Sequence, residues 1–251
     1  MKHARDSRSF VCIRGQFPFT GMKTALVLSG GGMFGAWQAG AWRALSKKFQ
    51  PDFIVGASVG SLNGYAIAGG ATPDELIAFW RQPSLAALHN LPATIQDLMS
   101  LHPLRQDYAV VLTDLLRLKP RIFHGPDLTW RHLAASCAIP GVLPQYRIHG
   151  RWYTDGGLLN PLPVWAAVEM GAKKIVALHA LPEIPSSLLK PFVTAFRATV
   201  GHKPEVPAGV DLTIFKTDGP LGSIHDALRW KKEKIDRWIE LGESAVRSPR
   251  H

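Results

Sequence analysis

Cysteine is almost absent from this chain: Cys12 and Cys137 stand far apart, in no Cys-x-x-Cys pair. That excludes a disulfide framework and a thiolate zinc site and fits a reducing compartment. Acidic residues are scarce as well, 19 against 29 lysines and arginines, so the formal net charge is +10. Such an excess attracts anionic partners, whether nucleic acid or a phospholipid surface. No nucleic-acid motif accompanies it, so nucleic acid is not an expected partner. No apolar run approaches the roughly 20 residues that a spanning helix needs. The N-terminus mixes Lys2, Arg5, Asp6, Arg8 and Arg14 with polar residues and lacks the apolar core of a secretory signal. A cytoplasmic protein with peripheral contact to an anionic membrane is the expectation. Internal repeats, low-complexity segments and linker-like stretches are missing too, so 251 residues read as one large α/β domain. Residues 1–21 are expected to be a disordered extension or a mis-assigned start ahead of Met22, and residues 22–251 the domain.

What is present is a series of short, solidly apolar strands alternating with helices. Thr24 to Leu28, Phe53 to Val55 and Lys174 to Leu178 read as buried parallel strands, and Val210 to Lys216 as an additional one. Helices are expected over Phe34 to Lys48, Val59 to Ala68 and Pro163 to Met170, the last ending at Gly171. Thr72-Pro73-Asp74-Glu75 is a capping box with proline at the first helical position. From there to about Ser136 the chain reads as mostly helical, broken by prolines. A hairpin is expected at Tyr146 to Tyr153 around Gly150, and one final helix at Ile224 to Val246. The alternation predicts a three-layer α/β/α fold with a mainly parallel central sheet.

Three glycine-bearing motifs occur in order: Gly30-Gly31-Gly32-Met33-Phe34-Gly35, Gly56-Ala57-Ser58-Val59-Gly60 and Asp155-Gly156-Gly157. Ser58, between small residues on a strand-to-helix turn, has the pattern of a nucleophile elbow closed by Gly56 and Gly60. Standing alone, it also fits a tight turn with an N-capping serine. The first motif contains a dinucleotide fingerprint, Gly30-x-Gly32-x-x-Gly35. Its acidic partner should end the second strand, whereas Asp52 stands at that strand's start. The better reading is an oxyanion hole built on the Gly31 and Gly32 amides. Asp155 is the candidate base, on a turn with Gly156 and Gly157. Among ten histidines, His179 is the best placed to complete a Ser-Asp-His order. Trp152, Leu158 and Leu159 are expected to shield Asp155 from water. Trp80, Leu85, Leu88, Leu91, Ile95, Leu98 and Met99 fit either the lining of an apolar groove or ordinary helix core.

These residues resemble the patatin-like phospholipase family over roughly Lys23 to Leu181, with looser agreement in the final helix. The segments Ala135 to Gly141 and Asn160 to Pro163 also look like family hallmarks. The resemblance implies a Ser58-Asp155 dyad acting on fatty-acyl esters of lipids or phospholipids without a metal or organic cofactor, and makes His179 dispensable. Two departures stand out. Similar proteins usually carry arginine or lysine where this chain has Phe34, and a strand often found between Leu104 and Leu133 is not evident. Phe34 supports the alternative of a noncatalytic lipid-binding or regulatory protein on the same fold. The last helix, with Ile224, Leu228, Ile235, Trp238 and Ile239 on one face and Lys231, Lys232 and Lys234 beside it, suits either an anionic surface or packing within the domain.

Overall fold

The computed structural model describes residues 23–181 and 206–248; the extension expected at residues 1–21 lies outside them. Eight strands form one sheet: β1 (Lys23–Leu28), β2 (Phe53–Ala57), β3 (Asp107–Asp114), β4 (Lys119–His124), β5 (Tyr146–Ile148), β6 (Arg151–Thr154), β7 (Ala172–His179) and β8 (Asp211–Lys216). Their order is β5-β6-β3-β2-β1-β7-β8, with β4 also paired to β3. From β3 to β8 the pairing is parallel, while β4 and β6 pair antiparallel to β3 and β5 pairs antiparallel to β6.

The central strands read as unbroken apolar runs because both of their faces are covered. Leu26, Leu28, Ile54, Val110 and Leu112 face a core built with α1 (Gly35–Leu45), α2 (Val59–Ala68), α3 (Pro73–Trp80), α4 (Leu91–Leu101) and α5 (Trp130–Ser136). Ala25, Val27, Val55 and Val111 face the opposite core, against α6 (Val164–Glu169). The capping box of α3 forms as expected, with Thr72 and Glu75 each accepting from the other's amide. The β5-β6 turn puts His149 at φ 46° and Gly150 at φ 78°, the two positive values of a tight hairpin.

Two expectations are corrected. Residues 107–124 are a β-hairpin, not helix, and β3 is the strand not evident from sequence. Its Tyr108-Ala109-Val110-Val111-Leu112 run is buried on both faces and so carries no period-two signal to separate it from helix. The final helix is two, α7 (Ile224–Leu228) and α8 (Lys232–Arg247), broken at Trp230, whose indole donates to the Trp80 carbonyl at 2.9 Å. Ile235, Trp238 and Ile239 pack on α1 at backbone contact: a Cβ on Gly40 would lie 1.9 Å from the Ile239 carbonyl oxygen. Lys232 and Lys234 pair with Asp236 and Asp226, so the apolar face of α8 belongs to the core and not to a surface.

Candidate active site

The chain leaves β2 through Ser58, which is 5% exposed with φ 52° and ψ −132°. That conformation costs a non-glycine residue about 1–3 kcal/mol. Close packing enforces it, since a Cβ on Gly56 would lie 2.3 Å from the Gly60 carbonyl oxygen and one on Gly60 2.4 Å from that of Leu28.

Strand pairing decides what meets Ser58. β4 occupies one edge of β3 along Ala109–Asp114. β2, paired through Val111, and β6, paired from Thr113, must therefore share the other edge. β2 runs up that edge and ends at Ala57, opposite Val111; β6 runs down it and ends at Thr154, opposite Thr113. Ser58 and Asp155 are the next residues of the two strands, and Leu112 alone separates the pairings. The hairpin thus delivers Asp155 head-on toward Ser58.

Ser136, at the end of α5, joins the two turns. Its hydroxyl accepts the Ser58 amide at 2.8 Å and donates to the Val111 carbonyl at 2.8 Å, and its carbonyl accepts the Gly156 amide at 3.0 Å. The Asp155 backbone donates to Ala138 at 3.1 Å and accepts from the Thr113 hydroxyl at 2.8 Å, while Oδ1 accepts the Gly157 amide at 2.7 Å. Leu159 is buried beside this turn, but Trp152 is 47% exposed and does not shield Asp155. The linking role of Ser136 was not legible in the sequence, because nothing local marks a serine whose partners lie 25 and 78 residues away. Ser136→Ala leaves the Ser58 amide without its acceptor, and is expected to lower kcat about 10- to 100-fold with KM little changed. Ester turnover measured beside thermal melting checks this.

Helix α5 carries a pH-sensitive cap. His132, 3% exposed, accepts the Thr129 amide through Nδ1 at 3.1 Å. Burial holds its pKa below the usual 6.5, and nearby His149 lowers it further. The unfolded chain therefore binds the proton more readily, so this contribution is complete above pH 6.5 and is lost as pH falls below it. His132→Gln keeps a capping acceptor without a titrating group, and is expected to flatten the fall in Tm between about pH 7 and 5.5.

The glycine loop passes directly against the serine. The Gly30 amide donates to Pro161 at 2.9 Å, and a Cβ on Gly30 would lie 3.2 Å from that of Ser58. Gly32 begins a short 3-10 turn, Gly32–Phe34, that leads into α1 at Gly35. At the open start of that turn the Gly31 and Gly32 amides have no acceptor among the described residues. Asp52 cannot serve a dinucleotide: its carboxylate takes the Thr24 amide at 2.6 Å, at the far end of the strands from the loop. His179 ends β7, beyond β1 and on the side of Ser58 away from Asp155.

An open groove runs from Ser58 and Gly32 between α2, α3 and the 139–143 loop. Its walls include Met33, Leu62, Phe79, Trp80, Leu85 and Val142, and among the described residues no charged side chain lines it. Of the seven residues with two readings, Trp80, Leu85, Leu88 and Leu91 line the groove, Ile95 and Leu98 are core, and Met99 packs at the core's margin. A buried relay steadies the wall. Trp80 donates to Asn63 at 2.8 Å, Asn63 to Gln38 at 2.9 Å, and Gln38 to the Ser29 carbonyl beside the loop at 2.8 Å. Cys137 also lines the groove, but burial and nearby Asp155 push its thiol far above the usual range, so it is no rival nucleophile.

A family model described as patatin-like phospholipase matches residues 26–117 and 101–168, which together hold the glycine loop, Ser58, Ser136 and Asp155. The chain belongs to that family. It is 31% identical over 196 residues to an NTE family protein of Mycobacterium tuberculosis, covering 69% of this chain and 54% of the relative. It is also 31% identical over 184 residues to patatin-like phospholipase domain-containing protein 6 of Homo sapiens, covering 63% of this chain and 13% of that protein. The chain thus spans about half the length of the mycobacterial relative. The crystal structure of VipD from Legionella pneumophila shares the fold, with a TM-score of 0.52 at 13% identity over 90% of this chain and 66% of that one. Phe34, expected above to be a departure, has a packing role in this structure. It is fully buried, edge-on to Trp238 with ring centroids 5.0 Å apart, and so anchors α8 to the glycine loop.

Proposed function

We propose that this protein is a serine acyl hydrolase that cleaves fatty-acyl esters of lipids through Ser58 and Asp155. The observation that carries the reading is the strained Ser58 backbone at the head of α2, opening onto a groove that no charged side chain lines among the described residues. The acyl chain lies in the groove and its carbonyl reaches Ser58. Asp155 takes the hydroxyl proton as Oγ attacks, and the Gly31 and Gly32 amides hold the oxyanion. The alcohol or lysolipid leaves with the proton, and water activated by Asp155 then releases the fatty acid from the acyl-enzyme. Each step uses side chains and amides already described, and the scheme calls for no metal or organic cofactor. Among the described residues no helix is long and apolar enough to cross a membrane, so the reading has the protein meet its lipid from the side, by peripheral contact.

The test is intact mass after treatment with a fluorophosphonate, beside Ser58→Ala. A single adduct confined to the wild type supports the reading. No adduct on folded protein would overturn it and favour the noncatalytic lipid-binding alternative.

A further inference from the structure

Two hairpin tips stand at the end of the sheet above the site. Asp114 pairs with Tyr153, and the Leu115 amide donates to the Trp152 carbonyl at 3.0 Å, so the β3-β4 turn and the β5-β6 hairpin are neighbours. Leu116 at the first tip is 82% exposed and Trp152 on the second is 47% exposed. The display is rigid. Asp114 Oδ1 accepts the amides of Leu116 and Arg117, each at 3.1 Å, and Leu118 closes the turn at φ 48°.

Arg117, Lys119, Arg121, Arg147 and Arg151, all exposed, stand on the same two hairpins, Arg147 on the sheet face of Trp152 and Lys119, Arg121 and Arg151 on the other. Asp114 is the one acidic residue from 114 to 124 and from 146 to 154, and its side chain is buried between Arg117 and Arg151. Exposed leucine and tryptophan at tips that carry cations on both faces match the two layers of an anionic bilayer surface, acyl boundary and phosphate. A soluble acidic partner would be met by the cations alone and would leave Leu116 and Trp152 in water. β6 runs from this patch straight to Asp155, four residues beyond Arg151, or about 13 Å of strand.

We infer that the Leu116-Trp152 tip is a docking surface for an anionic phospholipid bilayer, holding the groove at the lipid. The inference extends the lipid-ester reading, but its test does not depend on turnover. Binding of the full chain carrying Ser58→Ala is measured by co-sedimentation with phosphatidylcholine vesicles, with and without phosphatidylserine. Binding is expected to need phosphatidylserine and to weaken with salt. Leu116→Ser with Trp152→Ser should weaken it about tenfold or more. Lys119→Glu with Arg147→Glu should do the same, since each cation near the surface contributes about fivefold. Variants are compared only where their thermal melts match the parent. Equal binding to neutral vesicles, or full binding by both double variants, would overturn the inference. So would binding to a soluble polyanion such as heparin that competes off the vesicles while ignoring Leu116 and Trp152. Absence of the fluorophosphonate adduct on the wild-type protein, with vesicle binding intact, would count against the hydrolase reading alone.

Discussion

Ser58→Ala is expected to abolish ester turnover, by about 10,000-fold or more, because on the proposed mechanism it removes the atom that would form the acyl-enzyme. Asp155→Asn is expected to cost about 1,000- to 10,000-fold. Its amide oxygen can still accept the Gly157 amide, which Oδ1 takes at 2.7 Å, so the turn persists while the base is gone. The two substitutions are expected to be non-additive, as for residues acting in one step. A companion variant separates chemistry from strain. Alanine keeps a Cβ in the conformation at φ 52°, whereas Ser58→Gly relieves it. The glycine protein should therefore be inactive yet melt about 2–4 °C higher than wild type. Turnover of a p-nitrophenyl ester and a melting curve on the three variants decide the matter. Activity surviving in Ser58→Ala would sink the assignment of the nucleophile.

Gly156→Ala is expected to carry the other large effect, on stability and rate together. The added Cβ would lie 1.9 Å from the Val111 carbonyl oxygen, 2.7 Å from its carbon and 3.1 Å from the Ser136 hydroxyl. The first two are backbone atoms of β3, a strand held on both edges, so no rotamer change relieves the clash. Overpacking of this kind typically costs about 1–3 kcal/mol, and a backbone obstacle puts it at the upper end. Relief requires the Asp155 turn to lift away from β3, and a shift of about 1 Å at a catalytic group can cost about 100-fold in rate. Gly125→Ala is the control, since no atom lies within 4 Å of its added Cβ and its positive φ strains only an exposed turn. Denaturant unfolding and kcat on both proteins check the expectation. A Gly156→Ala protein as stable and as fast as wild type would show that the turn does not press on β3.

The sequence by itself determined the chemistry-bearing turns. Gly56 and Gly60 around Ser58, the glycine run before α1 and the Thr72 capping box are local devices, each set by steric limits or hydrogen bonds within a few residues. Buried strands β1, β2 and β7 were equally legible, because their apolar runs are short and bounded by turns. The tertiary structure alone decided how these pieces meet. β3, hidden in a run that reads as helix, supplies the edge along which β2 and β6 bring Ser58 and Asp155 together. Ser136 ties the two turns through partners far away in sequence. Phe34 reads as a lost cation until Trp238 is seen against it, and Trp152 as a shield until its exposure is known. Local sequence records what a turn can adopt; which distant surfaces a side chain meets is settled by strand pairing and packing, which no local pattern encodes.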